Sequence, residues 1–572
     1  MNLLIDRLSA LYVVWKELYP DEPANSLDGF CRELESFLTV NSLPSLEKEW
    51  YKDAVVYSLY VDLFNKDFKG LASRLDYLQD LGVNCLWLLP ILDSPMRDAG
   101  FDISDYRKIR KDLSGLGENA TDEQVDLLFT GFLDEAHKRG IKVIFDIATN
   151  HISDQHFWFR EARKSRDNPY RNYFIWSKDG KEYADARIIF YGIEQSNWKK
   201  DGDEYYFHRF FDFQPDLNYR NPEVLLEMSR NLIFWLKRGV DGFRADAIPY
   251  IWKEEGTACE NHPKTHSVVK FFRTVIDLVR PNTLLLAEAC QKPNEVVKYF
   301  GSGDECNAGY HFPLMPQIYK SMAMASREPV ANTLSLDVTP VIPEGAQWFT
   351  FLRCHDELSL ELVYVTEEDR KYIHDNYCLK PQWDFRLGQG ISARLSELMK
   401  RDPARIGLIY SLMLTLPGTP VVYYGDEFGK TNDEAYYEEM KVTVGKDDTR
   451  FLVRGKINWD EVNAALKISG SFESNVFSRV KTMLRARNAF PVFGRGNLDW
   501  VDMTKTDGTF AGEVMAYYRT YNEMSVLVIQ NLSGAKIEIK SDLAFSKSLL
   551  GNDPEIKDNT LTLKPFEYLW LQ

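Results

Sequence analysis

Four short acidic motifs, each at the end of an apolar segment, carry the residue types that could do chemistry. Such apolar runs, for example residues 143–145 and 284–286, are typical of β-strands. Parallel β/α barrels build their active sites at the carboxyl ends of the strands, so motifs in this order predict carboxylates converging at one barrel mouth. Carboxylates grouped with His and Arg are the groups that cleave glycosidic bonds. The motifs occupy residues 146–151, 242–247, 286–289 and 351–356.

The residue types within the motifs predict separate chemical roles. Arg244 and Asp246 are two apart on a strand, so both side chains point into the barrel mouth. The neighbouring guanidinium predicts a lowered pKa for Asp246, which suits an ionised nucleophile. Glu288 ends an apolar strand, where partial desolvation would keep a general acid protonated. His355 and Asp356 form a pair that could bind sugar hydroxyls. Each feature alone is more often structural, but their joint occurrence favours an active site.

The segments that must position these residues alternate between strand-like and helix-like patterns. Apolar runs alternate with amphipathic stretches at a spacing typical of βαβ units, which predicts an α/β (β/α)8 barrel. Strands are predicted at 54–61, 85–89, 142–147, 240–246, 283–288, near 308–312, 348–353 and 420–424, with helices at 71–81, 123–139 and 266–280 and one ending at 238.

Changes in pattern divide the chain into four parts. Residues 1–46 form an N-terminal helical extension whose amphipathic face fits either a cap on the barrel or a homo-oligomer contact. Residues 47–149 and 221–489 form the catalytic barrel, with a helical insertion over about 366–416. Residues 150–220 form an inserted domain B after strand 3. Short alternating segments at 514–519, 524–530 and 561–571 predict a C-terminal antiparallel β-sandwich over 490–572.

Composition excludes several classes of protein. A formal charge of −16 argues against nucleic acid as a partner. The seven cysteines are odd in number and lack both paired spacing and a Cys/His zinc pattern, which favours a reducing, cytoplasmic compartment. We expect neither a signal peptide nor membrane attachment, because the N-terminus lacks a basic leader and no apolar stretch approaches about 20 residues. No glycine-rich phosphate loop follows the first strand, so no organic cofactor is expected.

The motif segments, with the additional run 214–218, resemble the sequence regions of the α-amylase superfamily, glycoside hydrolase family 13. The resemblance implies that Asp246 is the nucleophile, Glu288 the general acid/base and Asp356 the carboxylate that stabilises the transition state. It also implies a set of residues that hold the glucose unit. These are Asp98, Phe101, His151, Arg244 and His355.

Within that superfamily, residues 50–430 most resemble the trehalose synthase subfamily. The matching stretches lie outside the catalytic motifs, so they indicate subfamily rather than shared chemistry. This resemblance implies a maltose–trehalose isomerase that acts on small α-glucosides by intramolecular glucosyl transfer through a β-glucosyl-enzyme. The stretches are residues 50–55, 153–159, 185–190, 256–261, 303–306 and 311–316.

Three departures from the subfamily pattern leave other substrates open. Phe101 stands where a stacking tyrosine is usual, and Cys290 replaces an asparagine two residues after Glu288. Residues 446–459 resemble amylosucrases and sucrose hydrolases, and we expect this segment to form the site for the leaving or accepting group. The alternatives are therefore a sucrose-acting glucosyltransferase or hydrolase and an α-glucosidase. A catalytically silent binding homologue is disfavoured because all three carboxylates are present.

The family resemblance also implies a calcium site formed by residues that match Asn150 and Asp216. Lys253 stands where the subfamily usually has a carboxylate, and an ammonium group cannot ligate calcium. Two interpretations follow. Either Lys253 takes the place of the cation, or Lys253 points to solvent and Glu254 serves as the ligand.

Overall fold

The fold is described from a computed structural model that covers residues 2–572, apart from residues 118, 446, 542–544, 546 and 552, with residues 2–7 described as backbone only. Eight parallel strands close into a barrel in which each strand pairs with its neighbours in chain order and the last pairs with the first. This confirms the predicted (β/α)8 barrel. The strands are β1 (Val56–Leu59), β2 (Cys85–Leu88), β3 (Lys142–Ala148), β4 (Gly242–Asp246), β5 (Leu284–Ala287), β6 (Ala308–Tyr310), β7 (Gln347–Phe351) and β8 (Thr419–Tyr423).

The barrel strands are buried along almost their whole length, as expected for parallel strands covered on both faces. Gly242 at the start of β4 is required by close packing. A Cβ at this position would lie 2.6 Å from the Leu284 Cβ and 2.7 Å from its carbonyl oxygen. The absence of a side chain therefore lets β4 and β5 approach closely, with Asp246 at the carboxyl end of β4.

Helices cover the outside of the barrel, and their N-termini are capped by local sequence. Thr121 and Gln124 form a reciprocal capping box, and Asn221 caps a helix whose first residue is Pro222. The main helices are Phe68–Ala72, Leu75–Leu81, Asp122–Lys138, Pro222–Lys237, Pro263–Val279, Leu314–Met324, Pro403–Thr415, Glu434–Val444, Trp459–Leu466 and Phe472–Ala489.

Two insertions surround the carboxyl ends of the strands. The segment between β3 and β4 contains the helix Phe157–Ala162 and a sheet of three short antiparallel strands, Trp176–Ser177, Trp198–Asp201 and Glu204–Phe207. The prediction that residues 366–416 are helical is partly wrong. The helix Glu367–Tyr377 is followed by paired strands Asp384–Phe385 and Gly390–Ile391, which extend onto Leu358–Ser359. Two-residue strands carry no measurable hydrophobic period, so the sequence could not reveal them.

The N-terminal helices Asn2–Leu18 and Asn25–Val40 pack against the outer barrel helices. Tyr19 donates a hydrogen bond of 2.8 Å to the carbonyl oxygen of Tyr219. The domain boundaries drawn from the sequence stay a prediction. In the described part of the chain, no helix is both long enough and apolar enough to cross a membrane.

Two antiparallel sheets form the C-terminal sandwich, and side chains from both build its core. The run 561–571, predicted as one strand, is two strands in different sheets, because Pro565 and the left-handed Phe566 (φ 55°) interrupt it. The first sheet contains Asn497–Trp500, Val514–Tyr521, Met524–Asn531 and Tyr568–Leu571, and the second contains Ile537–Lys540, Glu555–Lys557 and Thr560–Leu563.

Candidate active site

One pocket opens at the carboxyl ends of the barrel strands, and it gathers every residue that the sequence assigned to catalysis or glucose binding. These residues come from five separate stretches of chain, so their convergence is a property of the barrel. The structure brings together Asp98, Phe101, His151, Arg244, Asp246, Glu288, His355 and Asp356.

A single buried guanidinium connects the acidic groups at the base of the pocket. The Arg244 Nη1 atom lies 2.5 Å from the Asp246 Oδ1 and 2.8 Å from the Asp146 Oδ1. Its Nη2 atom lies 3.5 Å from the Glu288 Oε1. Trp87 holds the other oxygen of Asp146 through an indole N–H donor at 2.7 Å. Asp246 and Glu288 therefore face the same cation from adjacent strands.

The pKa of Asp246 differs from the sequence prediction. Burial raises it to about 6 and outweighs the lowering effect of Arg244. The prediction of a lowered pKa was wrong because it considered the neighbouring charge without the loss of water. Burial also raises the pKa of Glu288, the direction a general acid requires. Glu288 additionally accepts a 2.9 Å hydrogen bond from the backbone N–H of Ala247, which fixes its orientation.

The pKa of Asp356 is shifted in the opposite direction by His355 and two arginines. Arg450 Nη1 and Arg454 Nη2 lie 3.1 Å and 2.9 Å from its Oδ1, and His355 Nε2 lies 3.1 Å from its Oδ2. Burial alone would raise the pKa of Asp356, but these contacts lower it well below the usual value. The sequence did not identify these arginines as site residues, although both lie in the segment 446–459 singled out for its resemblance.

One end of the pocket is closed by polar contacts. Arg450 Nη2 lies 3.7 Å from the Asp98 Oδ1, and Gln214 donates a 2.9 Å hydrogen bond to the Asp98 Oδ2. The Phe101 ring stacks on His355 with 5.4 Å between ring centroids and an interplanar angle of 22°. Phe101 therefore supplies the aromatic face of the usual tyrosine but lacks its hydroxyl group.

His151 has an N–H group that can donate a hydrogen bond into the pocket. Burial lowers its pKa to about 4, so the ring is neutral near pH 7. The Asn150 amide nitrogen lies 3.3 Å from the His151 Nδ1, which assigns the proton to the Nε2 atom. Within the described residues the Nε2 atom has no hydrogen-bond partner, and His151 lines the pocket. A sugar hydroxyl is a suitable acceptor for this proton.

Arg386, which the sequence did not single out, also lines the pocket, and its guanidinium lies 5.3 Å from the Phe190 ring centre, which the Arg450 guanidinium approaches to 5.8 Å. It follows the short strand Asp384–Phe385 and has a left-handed backbone (φ 47°). Its guanidinium donates to the Ile189 carbonyl at 2.9 Å and lies 3.2 Å from Glu357 and 3.5 Å from Glu361. It thereby connects the insertion after β3 to the segment after β7. No local sequence signal could have found it, because its partners are far apart in the chain.

The oxygen atoms of the calcium site implied by the family surround an ammonium group instead. Lys253 is buried, and its Nζ lies 2.5 Å from the Asn150 Oδ1 and 2.9 Å from the Asp216 Oδ2. The carbonyl oxygens of Leu217 and Ile251 lie at 3.5 and 3.4 Å. A calcium ion here would meet the positive charge of Lys253, so this set of residues does not fit one. Glu254 contacts Trp252 instead.

We infer that Lys253 replaces calcium, and its removal should destabilise the protein. Lys253→Ala would leave Asp216 buried without a counter-charge, so we expect the free energy of unfolding to fall by about 3–5 kcal/mol, as measured by urea denaturation. Lys298→Met is the matched control, because Lys298 is largely exposed and its pairing with Glu295 contributes at most about 1 kcal/mol. Added Ca²⁺ should leave the thermal midpoint of the wild type unchanged. Stoichiometric calcium retained after dialysis would contradict the inference.

Comparisons with known proteins place the chain in a family. Residues 62–475 match the family model for the α-amylase catalytic domain, and residues 514–567 match the C-terminal domain of the α-amylase SusG. The chain is 44% identical to "Trehalose synthase/amylase TreS" of Mycobacterium tuberculosis, over 69% of this chain and 65% of that protein. It is 40% identical to a trehalose synthase of Thermus thermophilus, over 85% of this chain and 50% of that protein.

The chain therefore spans about half to two thirds of the length of these two relatives. A crystal structure of a trehalulose synthase mutant in complex with Tris superposes with a TM-score of 0.70 and 25% identity, covering 91% of this chain and 99% of that one. The catalytic-domain match extends over most of the barrel and includes the motif residues that line the pocket. The chain belongs to the α-amylase family, glycoside hydrolase family 13.

Proposed function

We propose that the protein interconverts maltose and trehalose by moving a glucosyl group within one pocket. The observation that carries this proposal is the pair Asp246 and Glu288, which face the Arg244 guanidinium from adjacent strands within one pocket. The trehalose synthases among the relatives support the choice of substrate.

The chemistry follows from the two carboxylates. Asp246 attacks the anomeric carbon while Glu288 protonates the departing glycosidic oxygen, which forms a β-glucosyl-enzyme. The freed glucose turns within the pocket and presents a different hydroxyl, and Glu288 then acts as the base. Two displacements at the same carbon retain the α configuration. Asp356, kept ionised by Arg450 and Arg454, stabilises the positive charge that develops on the ring.

The nonreducing glucose unit binds at the end of the pocket closed by Asp98 and Arg450. His151 donates from its Nε2 atom, Asp98 accepts from sugar hydroxyls, and Phe101 and His355 supply ring surface. Arg450 and Asp98 lie 3.7 Å apart at this end, and we expect this contact to favour a terminal glucose of a small α-glucoside over an internal unit of a longer chain.

Water exclusion decides between transfer and hydrolysis. Apolar side chains from the insertion after β3, including Ile189, Phe190 and Phe210, line the pocket together with Arg386. This cover favours retention of the first product, so the glucosyl group returns to a second hydroxyl of the same glucose.

The sucrose alternative loses part of its support. The segment 446–459 was expected to shape the site for the leaving or accepting group. Its arginines Arg450 and Arg454 instead contact Asp98, Asp356 and the backbone of His355, on the glucose side. The resemblance of this segment to amylosucrases therefore concerns a part of the pocket that all these substrates share.

The same proposal includes the cellular compartment, the binding partners and the cofactor requirement of the enzyme. All seven cysteines are free thiols, which suits a reducing compartment such as the cytoplasm. The partners are small α-glucosides rather than nucleic acid, given the charge of −16. No organic cofactor is needed for chemistry by two carboxylates.

An anomeric-proton NMR time course with maltose, trehalose and sucrose in separate samples tests the proposal. We expect trehalose from maltose with little free glucose. Asp246→Asn should lower turnover by at least about 1,000-fold because it removes the nucleophile, whereas Asp304→Asn, outside the pocket, should have little effect. Fructose released from sucrose with maltose untouched would refute the substrate assignment.

The pH dependence should show the ionisation of Asp246. Its pKa is raised to about 6, so the nucleophile gains a proton as the pH falls through that value. We expect kcat/KM with maltose to fall about tenfold per pH unit below pH 6. At higher pH, kcat/KM should fall when Glu288 loses its proton. A kcat/KM that stays constant down to pH 4.5, with the fold intact by circular dichroism, would contradict the assignment.

Arg386 should control how much glucosyl-enzyme is lost to water. Arg386→Met removes the link between Ile189, Glu357 and Glu361, so we expect the ratio of free glucose to trehalose to rise at least about threefold. The assay is the same NMR time course. Arg370→Met is the control, because Arg370 lies on the neighbouring helix outside the pocket. An unchanged product ratio in Arg386→Met would show that this side chain does not exclude water.

A further inference from the structure

Three residues with different metal-binding atoms meet outside the active site. His374 lies in the last turn of the helix Glu367–Tyr377, and Cys378 follows the end of that helix. The chain then turns through Pro381–Trp383, and Asp384 comes back to the helix. The His374 Nε2 atom lies 2.8 Å from the Asp384 Oδ1. All three side chains are partly exposed, so an ion from solvent could reach them.

The distances suit one small ion. One ligand atom from each of the three residues lies within 4.8 Å of the others. A tetrahedral zinc ion binds its ligands at about 2.0–2.3 Å, which places neighbouring ligand atoms about 3.3–3.8 Å apart. His374 and Cys378 are four residues apart, so they share one helix face and small side-chain rotations complete the geometry. The nearby Lys380 is directed away, because its Nζ lies 5.3 Å from the Trp383 ring centre and 3.5 Å from Glu434.

We propose that His374, Cys378 and Asp384 form a binding site for one thiophilic divalent cation, of which Zn²⁺ is the best fit. Nitrogen, sulfur and oxygen ligands together select zinc over calcium and magnesium, which prefer oxygen alone. The position at a helix C-terminus also favours a cation. With three protein ligands, water fills the fourth position on the exposed side.

Binding must release a proton from the cysteine. A cysteine binds a metal ion as the thiolate, so the Cys378 thiol must lose its proton when the ion binds. The ion forms a bond to sulfur, and the thiol proton leaves to solvent. The Asp384 carboxylate disfavours a free Cys378 thiolate but attracts the cation. Both side chains therefore favour the metal-bound state once the ion is present.

The site is connected to the pocket through a short piece of chain. Asp384 begins the strand Asp384–Phe385, and the Phe385 ring centre lies 5.4 Å from the Arg450 guanidinium. Arg386 follows directly and lines the pocket. A bound ion would therefore fasten the helix Glu367–Tyr377 to the hairpin that carries Arg386, and it should raise the thermal midpoint of the protein.

Cobalt titration of the metal-free full-length protein, under a phosphine reductant, tests this site without reference to activity. We expect one equivalent of Co²⁺ to produce tetrahedral d–d bands and a thiolate-to-cobalt charge-transfer band, both removed by Zn²⁺. Cys378→Ser should abolish the charge-transfer band, and His374→Ala should weaken cobalt binding at least tenfold. Asp375→Asn is the matched control, because Asp375 lies on the same helix and is largely exposed.

Two outcomes would overturn the proposal. The first is the absence of a charge-transfer band at excess Co²⁺ in a wild-type protein whose thermal midpoint the metal does not change. The second is a band that survives in Cys378→Ser and disappears in Cys354→Ser, which would place the ion at Cys354, His355 and Asp356 in the active pocket. The thermal midpoint of metal-free Cys378→Ser should equal that of the wild type, which shows that the variant folds.

Discussion

The buried guanidinium of Arg244 is the interaction on which the active site depends. Three carboxylates, those of Asp146, Asp246 and Glu288, approach it from adjacent barrel strands at distances of 2.5–3.5 Å. Without a cation between them these groups would repel one another in a place that water barely reaches. Arginine suits the position because it stays charged and offers several donors in a plane. The barrel delivers it there because strand residues two apart share a face.

The same arrangement recurs at two further places in the fold. Arg450 and Arg454 approach Asp356 from the segment after β8, and Lys253 lies among the oxygen atoms that the family would use for calcium. In each case a cationic side chain allows acidic or carbonyl oxygens to gather in a buried region. The pKa values of the carboxylates in one pocket are thereby shifted in different directions. Burial raises the pKa of Asp246 and of Glu288, whereas His355 and the two arginines lower that of Asp356. A raised pKa suits Glu288 as the general acid, and a lowered pKa keeps Asp356 ionised as a charge stabiliser.

Much of the fold could be predicted from local patterns. The strand predicted at 142–147 is found at Lys142–Ala148, because buried parallel strands are unbroken apolar runs. The strand predicted near 308–312 is found as the three-residue strand Ala308–Tyr310. The hairpin that carries Arg386 was missed because strands of two residues have no period. The interruption at Phe566 was missed because a run of β-type residues does not show which sheet each part joins.

The sequence by itself determined the barrel, the identity of the acidic motifs and their place at the strand ends, because these depend on periodicity and residue type. Only the tertiary structure decided the protonation of Asp246, whose pKa depends on how much water the whole pocket excludes rather than on its neighbour Arg244. It also decided the contacts of Arg386 and Lys253, whose partners lie far away in the chain. Desolvation and long-range contact are set by the folded surroundings, and no local pattern of residues records them.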